Sequence, residues 1–168
     1  MFSAAQVDRL EACARVLDPP ARVVMTGSVP PEAVAAICRG AGDGVELLVV
    51  GTGEVASVEG SIDVLFIGPA APYSVAAELF ARWSGRVAPG GLLFVYGAFA
   101  TPPLTVALLR AIGVSRAWRY FGREGALAEY VRADLTHGER VLDALAQLAQ
   151  LAYFTRRMAR RRFMRGHA

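Results

Sequence analysis

Apolar residues recur along this chain in two rhythms, and the two alternate. From Val7 to Leu17 the run VDRLEACARVL sets Leu10, Ala14 and Leu17 on one side of a 3.6-residue turn, which predicts an amphipathic helix ended by Asp18-Pro19-Pro20. ARVVMTG then reads as a short buried strand. SVPPEAVAAICRGAG follows as a helix, with Ser28 or the prolines near its start and Gly40 or Gly42 near its end. VELLVVG and IDVLFIG are two more strands. SVAAELFARWSGRVAPGG reads as a helix closed by Gly and Pro, LLFVYGAF as a strand, and PPLTVALLRAIG as a helix opening on proline. SRAWRYFGREGALAEYVR divides into two shorter strands, a terminal antiparallel ribbon, and the rest is helical from Gly138.

Strands that are apolar on both faces and alternate with helices predict a mainly parallel sheet covered on each side. Right-handed crossovers make that an α/β, Rossmann-like, doubly wound sheet. No internal repeat or low-complexity linker interrupts it. Residues 1–137 form this domain, and residues 138–168 add a C-terminal helix and an Arg-rich tail.

Composition narrows the class. At 168 residues, 54% hydrophobic and 20% charged, the chain is globular rather than disordered and long enough to bury one core. All 18 basic residues are arginine, against 15 acids, a bias that fits a GC-rich genome as well as a taste for phosphate. Cys13 and Cys38 lie on apolar helical faces without metal-ligand spacing, so both are expected to be buried free thiols in a reducing cytosol. With no basic-then-apolar leader and no run of about 18 apolar residues, a cytoplasmic protein is expected.

In a doubly wound sheet the chemistry collects beyond the carboxyl ends of the strands. After IDVLFIG that place holds Gly68, Pro69, Ala70, Ala71 and Pro72, with no side-chain donor, acceptor or charge until Tyr73. The layout over 62–99 (IDVLFIG, a turn ending in Tyr73, a helix carrying Trp83, then VAPGGLLFVYGAF) resembles the second half of a class I S-adenosylmethionine-dependent methyltransferase. Its small O-methyltransferase-like branch is the most similar, and the likeness in layout extends over about Arg22 to Tyr130.

That resemblance implies S-adenosylmethionine as cofactor and puts Gly27, Ser28, Thr52 and Gly68 at its binding positions, with Tyr73 and Tyr96 as the groups left for catalysis. Each family feature departs from its pattern. On this alignment the family's opening strand and Gly-rich turn precede the chain's first helix and are missing. ARVVMTG, aligned with the second strand, ends in Thr26 and Gly27 instead of a ribose-binding acid. VVGTGE sets Thr52 where an acid lies beside adenine, with Glu54 two residues on. Gly68, Pro69, Ala70 and Ala71 replace the Asp-Gly-Asp-His turn that supplies metal ligands or a base, and Tyr96-Gly97 replaces His-Asp. A lost ribose carboxylate removes charge-assisted hydrogen bonds of roughly 1.5–3 kcal/mol each. No metal is expected at a turn without oxygen ligands.

Other features have ordinary readings beside functional ones. GTGEVASVEG does not match a dinucleotide fingerprint and reads as a strand-ending turn. Asp63 and Glu46 read as solvated charges at strand beginnings, Trp83 as a core or groove-covering aromatic, and His137 as a helix-entry residue. Trp118 to Arg123 interleaves aromatics with arginines, which suits base stacking or simple strand alternation. In the last helix Val141, Leu145, Leu148 and Ala152 form a stripe suited to docking on a protein surface, widened by Leu151, Tyr153, Phe154 and Met158. Beyond it RRMARRRFMR carries six arginines in ten residues, pointing all round the axis, so the tail is not a clean membrane-lying helix. A solvated basic end, a homo- or heteromeric partner, and anionic lipid or nucleic acid are the three readings of this segment.

Three functions follow from the whole: a methyltransferase-like pseudoenzyme serving as a binding or assembly subunit, an active divergent O-methyltransferase on a small hydroxylated molecule or sugar, or a repurposed enzyme using no methyl donor.

Overall fold

A computed structural model describes residues 2–51 and 58–150. Strands β1 (Ala21–Thr26), β2 (Val45–Val50), β3 (Ile62–Ile67) and β4 (Val87–Tyr96) are parallel. An antiparallel pair, β5 (Trp118–Glu124) and β6 (Leu127–Arg132), extends one edge through β6, giving the order β2-β1-β3-β4-β6-β5. Helices α1 (Ala4–Arg15) and α2 (Pro31–Gly40) cover one face. There Leu10, Cys13, Ala14 and Ile37 meet Val23, Met25, Val64 and Phe66. Helices α3 (Tyr73–Trp83) and α4 (Pro102–Leu108) cover the other, where Leu79, Phe80, Trp83 and Leu104 meet Val24, Leu65, Ile67 and Val95. Alternate residues of each inner strand serve opposite cores, which is why these strands need apolar residues at every position.

Local chemistry sets the boundaries. Helix α1 starts three residues before the expected Val7, because Ser3 and Gln6 form a capping box. It crosses α2 at Gly40, where a Cβ would overlap the Glu11 carbonyl oxygen. The APGG segment, expected to close a helix, instead lies within β4. Gly90 adopts φ +80° there, and the register against β3 shifts between Ile62 and Val64, as in a bulge. The helix expected over 102–113 is α-helical to Leu108 and continues as a π turn from Leu109 to Gly113. Cys13 is buried as expected, but Cys38 is exposed, on the side of α2 turned away from the sheet. Asp63 is half-buried rather than solvated, and its Oδ2 accepts the Arg22 backbone N–H at 2.7 Å.

The last described element, α5 (residues 137–150), begins at His137 behind a Thr136–Glu139 capping box. Glu139 Oε2 accepts the Thr136 N–H at 2.9 Å, and Thr136 Oγ1 accepts the Glu139 N–H at 3.4 Å. It returns onto the β5–β6 ribbon through polar side chains. Asp143 Oδ1 accepts the Tyr120 N–H at 2.6 Å, Gln147 Nε2 donates to Asp143 Oδ2 at 2.6 Å, and the Tyr130 hydroxyl donates to Gln147 Oε1 at 3.3 Å. The apolar stripe through Val141, Leu145 and Leu148 faces away from the domain. Ala152 and the arginine run lie outside the described residues.

Candidate functional site

The strand order reverses between β1 and β3, which sit side by side in the sheet. In doubly wound folds ligands enter the crevice beyond the carboxyl ends of the strands at this switch point. The position of β1 bears on the sequence alignment. In the order 3-2-1-4 a second strand never touches the fourth, whereas β1 pairs with β3 over Val23–Val64 to Thr26–Ile67. The segment β1–Gly27–α2 is therefore itself the central strand–turn–helix unit, which corrects the alignment of ARVVMTG with an outlying second strand. Strand β2 then takes the second place and is the edge of the described sheet.

Gly27 and Gly68 follow the paired ends of β1 and β3. Gly27 has φ +80°, the left-handed region that glycine enters freely. The ladder runs on past both strands: the Gly68 N–H donates to Thr26 O at 2.8 Å and the Ser28 N–H to Pro69 O at 3.4 Å. A Cβ on Gly27 would stand 3.1 Å from the Gly68 carbonyl oxygen, and one on Gly68 would overlap the Ser28 backbone. Only then do the two turns separate. The structure thus brings Gly27, Ser28 and Gly68 together; Thr52, and Glu54 beyond it, lie outside the described residues.

Tyr73 and Tyr96 are not brought together. Tyr73 opens α3 on one face of the sheet and is partly exposed. Tyr96 ends β4 and packs with the α1–α2 core, its ring edge-on to Phe2 at 4.9 Å between centroids. Next to it the Gly97–Ala100 turn holds Phe99 at φ +54°, a strained conformation for a bulky residue, with the side chain buried against Tyr120.

Across the ends of β1, β3 and β4 (residues 26–30, 68–74 and 96–101) the side-chain polar atoms are all hydroxyls, from Thr26, Ser28, Tyr73, Ser74, Tyr96 and Thr101. Thr26 Oγ1 is buried without a hydrogen-bond partner among the described residues. Among those residues no group of three His, Cys, Asp or Glu could hold a metal ion. A nucleoside cofactor needs an acid for its ribose and room beside the first turn. The described rim supplies the glycine approach but no acid.

A cavity of about 210 Å³ lies elsewhere, between α1 and the β5–β6 ribbon, lined by Arg9, Phe94, Phe121, Arg123, Glu124 and Glu129 among others. Glu129 is nearly buried and takes both arms of Arg9, with Nε donating to Oε2 at 2.8 Å. That pairing holds the Arg9 guanidinium above its ordinary range, chiefly through the hydrogen bond. Arg9 also lies over the Phe121 ring, 5.8 Å from its centroid. Sequence reasoning missed this cluster. The one signal was an acid inside the otherwise apolar LAEYV, a placement that calls for a buried partner.

Comparison with known proteins bears on the fold. No protein-family model matches the sequence, and no curated protein matches it. Solved structures do. The O-methyltransferase from Bacillus cereus in complex with SAH matches with a TM-score of 0.56 at 11% identity, over 81% of this chain and 83% of that one. The release-factor-specific protein-(glutamine-N5) methyltransferase from Alicyclobacillus acidocaldarius matches with a TM-score of 0.52 at 13% identity, over 76% and 89%. Cofactor-bound Rv0187 from MTB matches with a TM-score of 0.60 at 16% identity, over 81% and 83%. A central β1 at the switch point, helices on both faces and an antiparallel ribbon at the far edge give this chain the Rossmann-like fold of the class I S-adenosylmethionine-dependent methyltransferases.

Proposed function

We propose that this chain is a methyltransferase-fold protein that no longer transfers methyl groups and acts as a binding or assembly subunit. One observation carries the reading: across residues 26–30, 68–74 and 96–101 the switch-point rim holds no ionisable side chain other than two tyrosines on opposite faces. General-base catalysis is most often carried by His, Asp, Glu or Lys within reach of the substrate, and none of these residue types occurs in the three stretches. The sheet-building residues are kept in full. Val64, Leu65, Phe66, Ile67, Leu93, Phe94 and Val95 are all buried, so the scaffold does not depend on the missing chemistry.

A second reading has a specific observation in its favour. With β1 central, β2 is the strand after whose end the resemblance places the ribose-binding acid, and Glu54 follows β2 by four residues. A divergent O-methyltransferase acting on a small hydroxylated molecule or sugar would use Gly27 and Gly68 as the close backbone approach and Glu54 as that acid.

Calorimetric titration with S-adenosylmethionine and with its demethylated product separates the two. Absent or millimolar binding is expected. Micromolar binding, abolished by Glu54→Gln, would overturn the first reading in favour of the second.

A further inference from the structure

The cavity between α1 and the β5–β6 ribbon stands on β4, β6 and β5, outside the β1–β3 switch point, and its walls are made for a ring. Phe94 and Leu127 line it and are both buried in the α1–α2 core. Its volume of about 210 Å³ exceeds the roughly 150 Å³ that suffices to hold benzene, so it admits one aromatic ring with a short polar substituent. Phe121 supplies a second ring at its edge. Tyr120 pairs with Tyr130 and Gly122 with Glu129, which leaves Phe121 as the extra residue of a bulge. The bulge turns this side chain outward, 65% exposed, where burial against a ligand ring would stabilise it.

The polar groups of the lining are unequally engaged. Glu129, 6% exposed, is occupied by Arg9 Nε and Nη2. Arg123 donates to Gly125 O at 2.8 Å and to Gln150 Oε1. A guanidinium has five N–H donors, and the other three of Arg9 have no acceptor among the described residues. They include the parallel pair on its Nη1–Nη2 edge, the geometry that grips a carboxylate with two bonds. Glu129 holds that guanidinium in place from the buried side. The exposed Glu124 carboxylate also has no partner among the described residues. One donor edge and one acceptor of opposite charge thus remain around a ring-sized apolar space.

We propose that this cavity binds a small aromatic zwitterion, of the kind of a single-ring α-amino acid. The ring lies between Phe121 and the wall of Phe94 and Leu127, the carboxylate meets the spare edge of Arg9, and the ammonium meets Glu124. The two arginines and two acids of the lining cancel, which suits a ligand that carries both charges and is neutral overall. A phosphate ester would set two negative charges beside Glu124 and Glu129, and a plain aromatic acid would leave Glu124 unanswered. This site stands whether or not the switch-point rim takes a nucleoside, because the two share no residue.

Titration of the full chain with L-phenylalanine, followed by amide chemical shifts, tests it. Saturable shifts are expected in residues 121–129, with a Kd of about 1 mM or tighter, ordinary for a ligand of this size. 3-Phenylpropionate, which lacks the ammonium, and phenethylamine, which lacks the carboxylate, should each bind at least about tenfold more weakly. Phe121→Ala should weaken phenylalanine binding by about tenfold as well. Glu124→Gln should bring phenylalanine down to the affinity of 3-phenylpropionate and leave 3-phenylpropionate itself unchanged. Both side chains are exposed, so the melting temperature should hold in either variant. Four results would each overturn the proposal: no saturable shift below about 10 mM, shifts confined to residues 26–30 and 68–74, equal affinity for 3-phenylpropionate, or binding undiminished by both substitutions.

Discussion

Gly68 and Ser28 meet backbone to backbone where the sheet changes direction, with no room between them for even a methyl group. The contact is what lets the β1 and β3 turns stay zipped past the ends of their strands. Gly68→Ala is expected to force the turns apart and destabilise the fold by about 2–3 kcal/mol, a typical cost of overpacking. Urea denaturation measures it, and a loss below about 0.5 kcal/mol would mean the turns are not held in this contact.

The Arg9–Glu129 pair ties α1 to β6 across a half-buried site. Arg9→Met alone leaves a nearly buried carboxylate without its partner, with an expected loss of about 2 kcal/mol, reduced from the fully buried case because Arg9 is partly exposed. Arg9→Met with Glu129→Leu should recover most of it. A double-mutant cycle by chemical denaturation gives the coupling, and additive losses would show that the pair contributes nothing.

The two cysteines should differ sharply. Cys38 is exposed and should react with a thiol reagent in the native protein, while Cys13 should react only on unfolding. Burial pushes the Cys13 thiol up to about 12, with nearby Glu129 adding to it. Above pH 9 the unfolded thiol ionises while the folded one keeps its proton, so the native state binds more protons and stability falls as pH rises towards 12. Cys13→Ala should flatten that part of the stability profile, and an unchanged profile would show that Cys13 is not its source.

Asp143 is the latch of α5, accepting hydrogen bonds from both the Tyr120 backbone and Gln147. Asp143→Ala strands both donors and should cost about 1–3 kcal/mol. Because the rest of the α5 contact is also polar, the loss should be local. Amide exchange should quicken in residues 137–150 and stay unchanged in β1 and β3.

Much of the fold was legible because doubly covered strands advertise themselves. ARVVMTG, VELLVVG and IDVLFIG cannot alternate with polar residues when both faces are buried, and the ribbon over 118–132 showed by its length and position. The APGG segment misled because Gly and Pro punctuate helices and bulges alike, and only pairing with β3 decides between them. The place of β1 was hidden for a similar reason: local pattern identifies a strand but not its neighbours. Gly27, Ser28 and Gly68 were named from the resemblance, and the structure sets the three side by side. Tyr73 and Tyr96 were named from their sequence positions, yet the parity of β4 and the side taken by α3 put them on opposite faces.

The sequence by itself determined the class of fold, the bare composition of the strand ends and the arginine run of RRMARRRFMR, because periodicity, residue type and charge are local properties. Tertiary structure alone decided that β1 is central, that Arg9 reaches Glu129, and that α5 turns its polar side inward and its leucines out. Those outcomes depend on which unsatisfied groups the rest of the fold presents. The ribbon offered α5 a backbone N–H at Tyr120 and a buried hydroxyl at Tyr130, and hydrogen-bonding those groups took precedence over burying the apolar stripe.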